Sequence, residues 1–334
     1  MLRLDEGNTG QSRRRGFRRE KMLKAVLGLW VFLAVPAPGQ QSLQTYTLIH
    51  DGLTRTYHVH LPPGHRPDKS VPLVLALHGR GGSGLQMDDF TNNQLTREGD
   101  RRGWVVVFPE GIERGWNDGR DPESEVALRR SGVDDVGFLR NLIERLRIDF
   151  GIDQKRVYAT GISNGGFMSI RLAIDLSDRI AAIGAVTSCL GTGHQRLEPL
   201  APVGVLVMNG TEDPLVPYEG GRVETFGQDR GSVLSTDETI RWWVAKMSCG
   251  SEPDWRALPD QAKLDGTRTE VETYSECRNG VQVVLYRIEG GGHTWPGGKQ
   301  YLPVRWIGRV SRDFEAAREI FDFFEQHRRL SWPK

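Results

Sequence analysis

Gly161-Ile162-Ser163-Asn164-Gly165 follows the short apolar stretch Val157-Tyr158-Ala159-Thr160 and precedes a run, from Phe167 through Leu172 and Ala173, with the spacing of an amphipathic helix. A serine between two glycines on such a strand-to-helix turn is a nucleophile elbow. The turn lifts the hydroxyl clear of the chain, and a side chain at either glycine would collide with the neighbouring strand or helix. The five residues alone are a weak signal, since a chain with 40 glycines can produce the pattern by chance. The strand before and the helix after make Ser163 a candidate nucleophile and point to a parallel sheet flanked by helices.

Outward from the elbow, residues 71–77 and 104–108 are almost unbroken apolar runs, as strands buried on both faces are. Residues 44–49 and 54–61 alternate as paired strands around Asp51-Gly52. A helix is expected over 134–150, with Val136, Leu139, Leu142, Ile143 and Leu146 on one face. Beyond the elbow, 181–186 and 203–208 continue the sheet and 236–247 reads as a helix. Residues 271–274 and 281–288 read as a hairpin about Asn279-Gly280, and a last helix spans 312–327. Strands alternating with helices predict an α/β fold, a mostly parallel central sheet covered on both faces. The long connections 109–133, 214–235 and 294–311 follow strands at their carboxyl ends and should frame the site. Only about 16 residues, 187–202, lie where a large lid would be inserted, so an open cleft without one is expected.

The chain has 334 residues, 38% of them hydrophobic, enough for one large core. Lys plus Arg number 44 against 43 Asp plus Glu, and a net charge of +1 gives no reason to expect a nucleic-acid partner. The first 40 residues differ in kind. Arg13, Arg14, Arg15, Arg18, Arg19 and Lys21 precede the apolar run 25–35, which ends in Pro36-Ala37-Pro38-Gly39-Gln40. That is signal-peptide architecture, and the run falls short of the roughly 20 residues of a membrane span. Residues 1–40 are therefore read as an N-terminal extension with signal peptide and 41–334 as the catalytic domain. The expected location is extracellular or periplasmic, with no stable membrane anchor after signal removal. Arg14-Arg15-Gly16-Phe17 loosely resembles a twin-arginine signal, and Met22 could be the start. In an oxidising compartment Cys249 and Cys277 could pair across a short loop, the alternative being three unrelated thiols. Cys189, just after the apolar stretch 180–186, reads as a small buried thiol.

A hydroxyl of ordinary acidity attacks an ester only when a base removes its proton and a third group orients the base. In α/β-hydrolases the chain order is Ser, then Asp or Glu, then His, each on a loop after a strand. Asp213 lies in Asn209-Gly210-Thr211-Glu212-Asp213-Pro214 after strand 203–208, with Glu212 its rival. His293 lies in Gly290-Gly291-Gly292-His293-Thr294-Trp295-Pro296 after the strand ending at Ile288. His50, His58, His60, His194 and His327 fail either the order or the placement. The oxyanion needs two backbone N–H donors, expected from Asn164 and from Arg80 within His78-Gly79-Arg80-Gly81-Gly82. His78 is expected to hold that loop rather than to react.

These segments, together with Phe108-Pro109-Glu110-Gly111, Trp116-Asn117-Asp118, Val133-Asp134-Asp135-Val136 and Gly292-His293-Thr294-Trp295-Pro296-Gly297, resemble the secreted polyhydroxybutyrate depolymerase and feruloyl esterase family of the α/β-hydrolase superfamily. The likeness covers nearly the whole chain after the signal. It implies a serine esterase with Ser163, Asp213 and His293 as triad and Arg80 and Asn164 as oxyanion hole. It also implies Trp116 and Trp295 as substrate-binding residues lining the cleft, and a cysteine pair at Cys249 and Cys277. No metal or organic cofactor is implied, and the expected partner is an ester substrate, either a polyester oligomer or a polysaccharide-linked ester. Two features depart from better-known members. The linker and polymer-binding domain of enzymes acting on solid polyester are not recognisable, and Arg80 stands where many relatives have cysteine. The resemblance thus implies hydrolysis of poly- or oligo-3-hydroxybutyrate type esters, with a feruloyl or acetyl xylan esterase as the alternative. A catalytically silent hydrolase that only binds is the reading from another class, disfavoured because all three triad residues are present.

Overall fold

The run Val71–Leu77 is buried from its second residue onward, and its side chains divide by parity. Leu73, Leu75 and Leu77 enter one apolar core, Val74 and Ala76 another. A strand buried on both faces must lie inside a layered sheet, because successive side chains point to opposite sides. The computed structural model, which describes residues 43–121, 132–225 and 227–330, has that arrangement. Residues 1–40, read above as an N-terminal extension with signal peptide, and residues 122–131 of the first long connection lie outside the described residues.

Along the chain, β1 (Gln44–His50) and β2 (Leu53–His60) pair antiparallel around the Asp51-Gly52 turn. β3 (Val71–Leu77) is followed by α1 (Gly84–Phe90), α2 (Gln94–Arg102) and β4 (Val105–Pro109). Then come α3 (Asp135–Phe150), β5 (Ile152–Ile162), α4 (Asn164–Asp175), β6 (Ala182–Val186) and β7 (Gly204–Gly210). A small hairpin of β8 (Gly221–Thr225) and β9 (Gln228–Val233) precedes α5 (Thr236–Met247). β10 (Asp254–Ala257), β11 (Arg268–Tyr274), β12 (Val283–Glu289), α6 (Val304–Ile307) and α7 (Ala316–Glu325) complete the described chain. Among the described residues the main sheet has ten strands in the order β1-β2-β4-β3-β5-β6-β7-β12-β11-β10. From β4 to β12 every neighbouring pair is parallel, and both edges are antiparallel. Helices α3, α4 and α5 cover one face through Phe138, Leu142, Met168 and Trp243, while α1, α2 and α7 cover the other through Met87, Leu95, Ile320 and Phe324. Among the described residues no helix is long and apolar enough to cross a membrane.

The structure extends the sequence reading in three places. α1 and α2 were not legible as helices, because Gln94 and Glu98 of α2 are themselves buried and only Leu95 supplies an apolar contact. The connection 214–235 folds its own hairpin, β8–β9. The β11–β12 pair is joined not by a tight Asn279-Gly280 turn but by residues 275–282 with a 3-10 turn at Arg278–Gly280, and β10 adds an edge strand.

Residues 249 and 277 are joined as a disulfide across a separation of 28 residues, tying the end of α5 to the β11–β12 connection. Cys189 is buried and free, and burial pushes its thiol up to about 11, so it is inert at neutral pH. In the chain-entropy picture a cross-link of this span contributes about 3–4 kcal/mol. Replacing both cysteines by serine is expected to lower Tm by roughly 5–10 °C in calorimetry while activity at room temperature persists. An unchanged Tm would show the bond to be idle.

Candidate active site

Ser163 sits between β5 and α4 at φ 54°, ψ −123°, a conformation that costs a residue bearing a Cβ on the order of 1–3 kcal/mol. Its N–H is held by Val186 O at 2.9 Å and Thr187 Oγ1 at 3.2 Å, so β6 and the loop after it fasten the turn. A Cβ on Gly161 would lie 2.5 Å from the backbone of Gly165, and one on Gly165 would run into Leu77 O of β3. Both glycines are therefore steric necessities. Gly165→Ala is expected to destabilise by about 3 kcal/mol or more. The measurement is Tm and soluble yield against wild type, and a variant of native Tm would contradict the packing.

Asp213 and His293 follow β7 and β12, which are parallel neighbours, so the two side chains emerge side by side. His293 Nδ1 donates to Asp213 Oδ2 at 2.8 Å, and both side chains are almost wholly buried. Asp213 Oδ1 accepts from the N–H groups of Leu215 and Val216 at 2.8 and 2.9 Å, which fixes the plane of the carboxylate. Glu212 points outward to Arg309 at 2.8 Å, so the geometry places Asp213 rather than its neighbour against the imidazole. The His293 N–H bonds Ile307 O at 2.6 Å, and Tyr301 Oη donates to the His293 carbonyl at 3.0 Å. Gly292 permits that approach, since a Cβ there would overlap the Ile307–Gly308 backbone.

Ser163 and His293 line one pocket of about 590 Å³. The three long connections border it through Trp116 to Asp121, through Leu215, Val216, Val223, Thr225 and Arg230, and through Tyr301 and Leu302. Ser163 Oγ takes no hydrogen bond among the described residues, whereas the imidazole–carboxylate contact is formed. Catalytic contacts to the nucleophile commonly tighten only when substrate is bound.

Arg80 and Asn164 face this pocket, and among the described residues neither amide N–H is spent on a backbone acceptor. The Asn164 side chain is fully engaged. Its Oδ1 accepts from Trp116 N at 2.7 Å, and its Nδ2 donates to Trp116 O at 3.1 Å and Asp118 Oδ2 at 2.6 Å. Burial works to raise the pKa of Asp118, but the charge and hydrogen bonds of Arg120 together outweigh it and hold the carboxyl below the usual carboxylate range. Arg120 in turn lies over the Phe167 ring, 3.5 Å from its centroid. The loop is anchored from behind by Asp135, which accepts from Asn117 N at 2.7 Å and from the buried Arg55 at 2.6 Å. The Trp-Asn-Asp and Asp-Asp segments thus form one scaffold behind the oxyanion side of the site.

His78 bridges two loops through its ring nitrogens. Gly111 N–H donates to its Nε2 at 3.0 Å, so the proton sits on Nδ1 and is given to Gly79 O at 2.9 Å. Burial lowers its basicity and keeps it neutral. The two tryptophans part company. Trp116 lines the pocket but is 1% exposed, its Nε1 donating to His78 O, so it is a wall more than a contact surface. Trp295 does not line the cleft, a correction to the sequence reading. It is fully buried in the core under α7, with Nε1 bonded to Gln94 Oε1 at 3.0 Å. The indole packs inward because the histidine loop needs an apolar anchor against α2 and α7. Asp118, Arg120, Tyr301 and the β8–β9 side chains were missed in the sequence. Asp118 carried a signal in its motif, whereas Tyr301 and Arg230 carried none.

A model of the family described as Esterase PHB depolymerase matches residues 55–215. "Putative esterase NocK" of Nocardia uniformis subsp. tsuyamanensis is 32% identical over 281 residues, 81% of this chain and 79% of that protein. The chain belongs to the PHB depolymerase esterase family. Feruloyl esterase B of Piromyces equi is 29% identical over 250 residues, which are 72% of this PHB depolymerase family member but only 43% of the fungal protein. The bifunctional acetylxylan esterase/xylanase XynS20E of Neocallimastix patriciarum is 25% identical, with 31% of its length covered. This chain thus spans less than half of either of these two relatives. The solved acetyl xylan esterase from Aspergillus awamori superposes with a TM-score of 0.54 at 14% identity, over 86% of this chain and 100% of that one, a likeness of fold. The protein is an α/β-hydrolase and a carboxylic ester hydrolase.

Proposed function

We propose that Ser163, His293 and Asp213 hydrolyse esters of short hydroxy acids, of the poly- or oligo-3-hydroxybutyrate type, through an acyl-enzyme. The observation that carries this reading is the buried His293–Asp213 pair opening onto the pocket that Ser163 lines. His293 Nε2 removes the Ser163 proton as Oγ attacks the ester carbon, and the Arg80 and Asn164 N–H groups receive the oxyanion. Each such donor is typically worth about 100- to 1000-fold in rate. His293 then protonates the leaving alcohol, and a water activated by the same imidazole releases the acid. Met87, Phe90, Ile162, Leu215, Val216 and Val223 give the pocket an apolar lining suited to a short branched aliphatic unit. Cys249 and Cys277 as a disulfide, together with the basic–apolar N-terminus, support export of the mature domain 41–334.

The relatives named as feruloyl and acetylxylan esterases favour a second reading, removal of feruloyl or acetyl groups from polysaccharide. The purified mature protein is to be assayed on 3-hydroxybutyrate oligomers, methyl ferulate and acetylated xylan in parallel. A higher kcat/KM on the hydroxybutyrate esters is expected, by roughly tenfold or more. A preference for ferulate or acetylxylan would transfer the same triad to the second reading.

A further inference from the structure

Arg80 carries two groups into one site. Its backbone N–H is the second oxyanion donor of the proposed mechanism and is spent on no backbone acceptor among the described residues, while its exposed side chain lines the pocket without an acceptor, since among the described residues no carboxylate, carbonyl or hydroxyl receives a hydrogen bond from it. Among the described residues the other two arginines of the lining are engaged. Arg120 is bound to Asp118, and Arg230 to Thr225 Oγ1 at 2.8 Å and to Gln228. The place of the Arg80 side chain is set by Gly115. A Cβ on that residue would lie 2.7 Å from Arg80 Nη1, 2.8 Å from Arg80 Cδ and 2.9 Å from Asn164 Oδ1. The guanidinium therefore lies across a bare backbone, in the same few ångströms as the residue that follows the nucleophile. The Gly115 turn is itself tied to the oxyanion loop, because Gly81 N–H donates to Arg114 O at 2.8 Å and Arg114 Nε to Gly82 O at 3.2 Å.

Resting on the hydroxy-acid reading above, we propose that Arg80 binds the free carboxylate of a hydroxy-acid oligomer and makes the acid-terminated ester the preferred substrate. In a head-to-tail ester of hydroxy acids the free carboxylate belongs to the alcohol portion. Cleavage of the adjacent ester adds one water and yields the shortened acyl acid and a hydroxy acid that keeps its carboxylate. A planar guanidinium meets a carboxylate through two parallel N–H donors, which fixes the orientation as well as supplying attraction.

The test is a matched pair: the linear 3-hydroxybutyrate dimer as free acid and as its methyl ester, which lacks the charge that Arg80 would meet, with cleavage followed at the internal ester shared by both and methanol release from the terminal ester scored separately. For the wild type at neutral pH and low salt, kcat/KM on the acid is expected to exceed that on the methyl ester by about tenfold or more, and added salt is expected to shrink the ratio. Arg80→Gln is expected to bring the ratio to about one and Arg80→Glu to invert it in favour of the methyl ester. Any effect of substitution on the shared N–H donor falls on both substrates and cancels in the ratio. Equal rates on the two dimers with the wild type, or a preference that survives Arg80→Gln, would overturn the assignment of Arg80 while leaving the esterase reading in place. If neither dimer is cleaved while methyl ferulate or acetylated xylan is, the hydroxy-acid reading fails and this assignment with it.

Discussion

Ser163→Ala is expected to lower kcat/KM on p-nitrophenyl butyrate and on the physiological ester by on the order of 10⁵-fold or more, with Tm close to that of the wild type. The asymmetry between activity and stability comes from how the elbow is built. What holds the turn is the backbone N–H of residue 163, bound to Val186 O and Thr187 Oγ1, and the two glycines that let β3 and α4 close on it. None of these contacts uses the hydroxyl. Alanine meets the same strain at φ 54° as serine does, so the fold has no reason to change. What is lost is the atom that forms the proposed acyl-enzyme. The remaining oxyanion donors still bind a tetrahedral species and leave a residual rate above that of water. Retention of even a hundredth of the activity in clean, burst-free kinetics would remove Ser163 from the mechanism.

Asp213→Asn is expected to lower kcat by about 10⁴-fold, a loss much larger than one hydrogen bond suggests. The reason lies in the two backbone N–H groups of Leu215 and Val216 on Oδ1. An asparagine must keep its carbonyl oxygen there, since an NH₂ group would face two donors. Its Nδ2 is then forced toward His293 Nδ1, where it donates. The imidazole must accept on Nδ1 and carry its proton on Nε2, the tautomer that cannot take a proton from Ser163. Glu212→Gln, one residue away, touches only Arg309 at the surface and is expected to leave kcat within about twofold. Comparable losses in the two variants would mean that the carboxylate acts by charge alone and not by fixing the tautomer.

Much of this site was legible because the chemistry dictates both residue type and place. The serine needs its glycines, and strands β5, β7 and β12 each deliver one member of the proposed triad at the carboxyl end of a parallel strand. The almost unbroken apolar run 71–77 is β3, and the helix read over 236–247 is α5 over its observed length, with a Ser235 cap that only the structure shows. Other parts were hidden for identifiable reasons. α2 buries Gln94 and Glu98, so its inward face carries no apolar period, and β8–β9 rests on Val223 and Val233 alone. The position of a tryptophan beside the catalytic histidine does not reveal on which side of the backbone its indole falls. Trp295 turned inward, and the same loop sent Tyr301 to the pocket instead. The Asn164 side chain reads as an unremarked neighbour of the nucleophile, because its partners Trp116 and Asp118 lie more than 40 positions away in sequence.

One buried glutamine links the timing of activity to the far end of the chain. Gln94 Oε1 accepts from Trp295 Nε1 and from Ala317 N, while its Nε2 donates to Pro296 O. The nucleophile's strand and helix are complete by residue 175, yet the loop bearing the base is seated only when α7 has docked beside α2. During synthesis the proposed hydrolytic machinery therefore stays unassembled until α7 has emerged. Ester cleavage thus doubles as a report that the carboxyl-terminal helix has found its place.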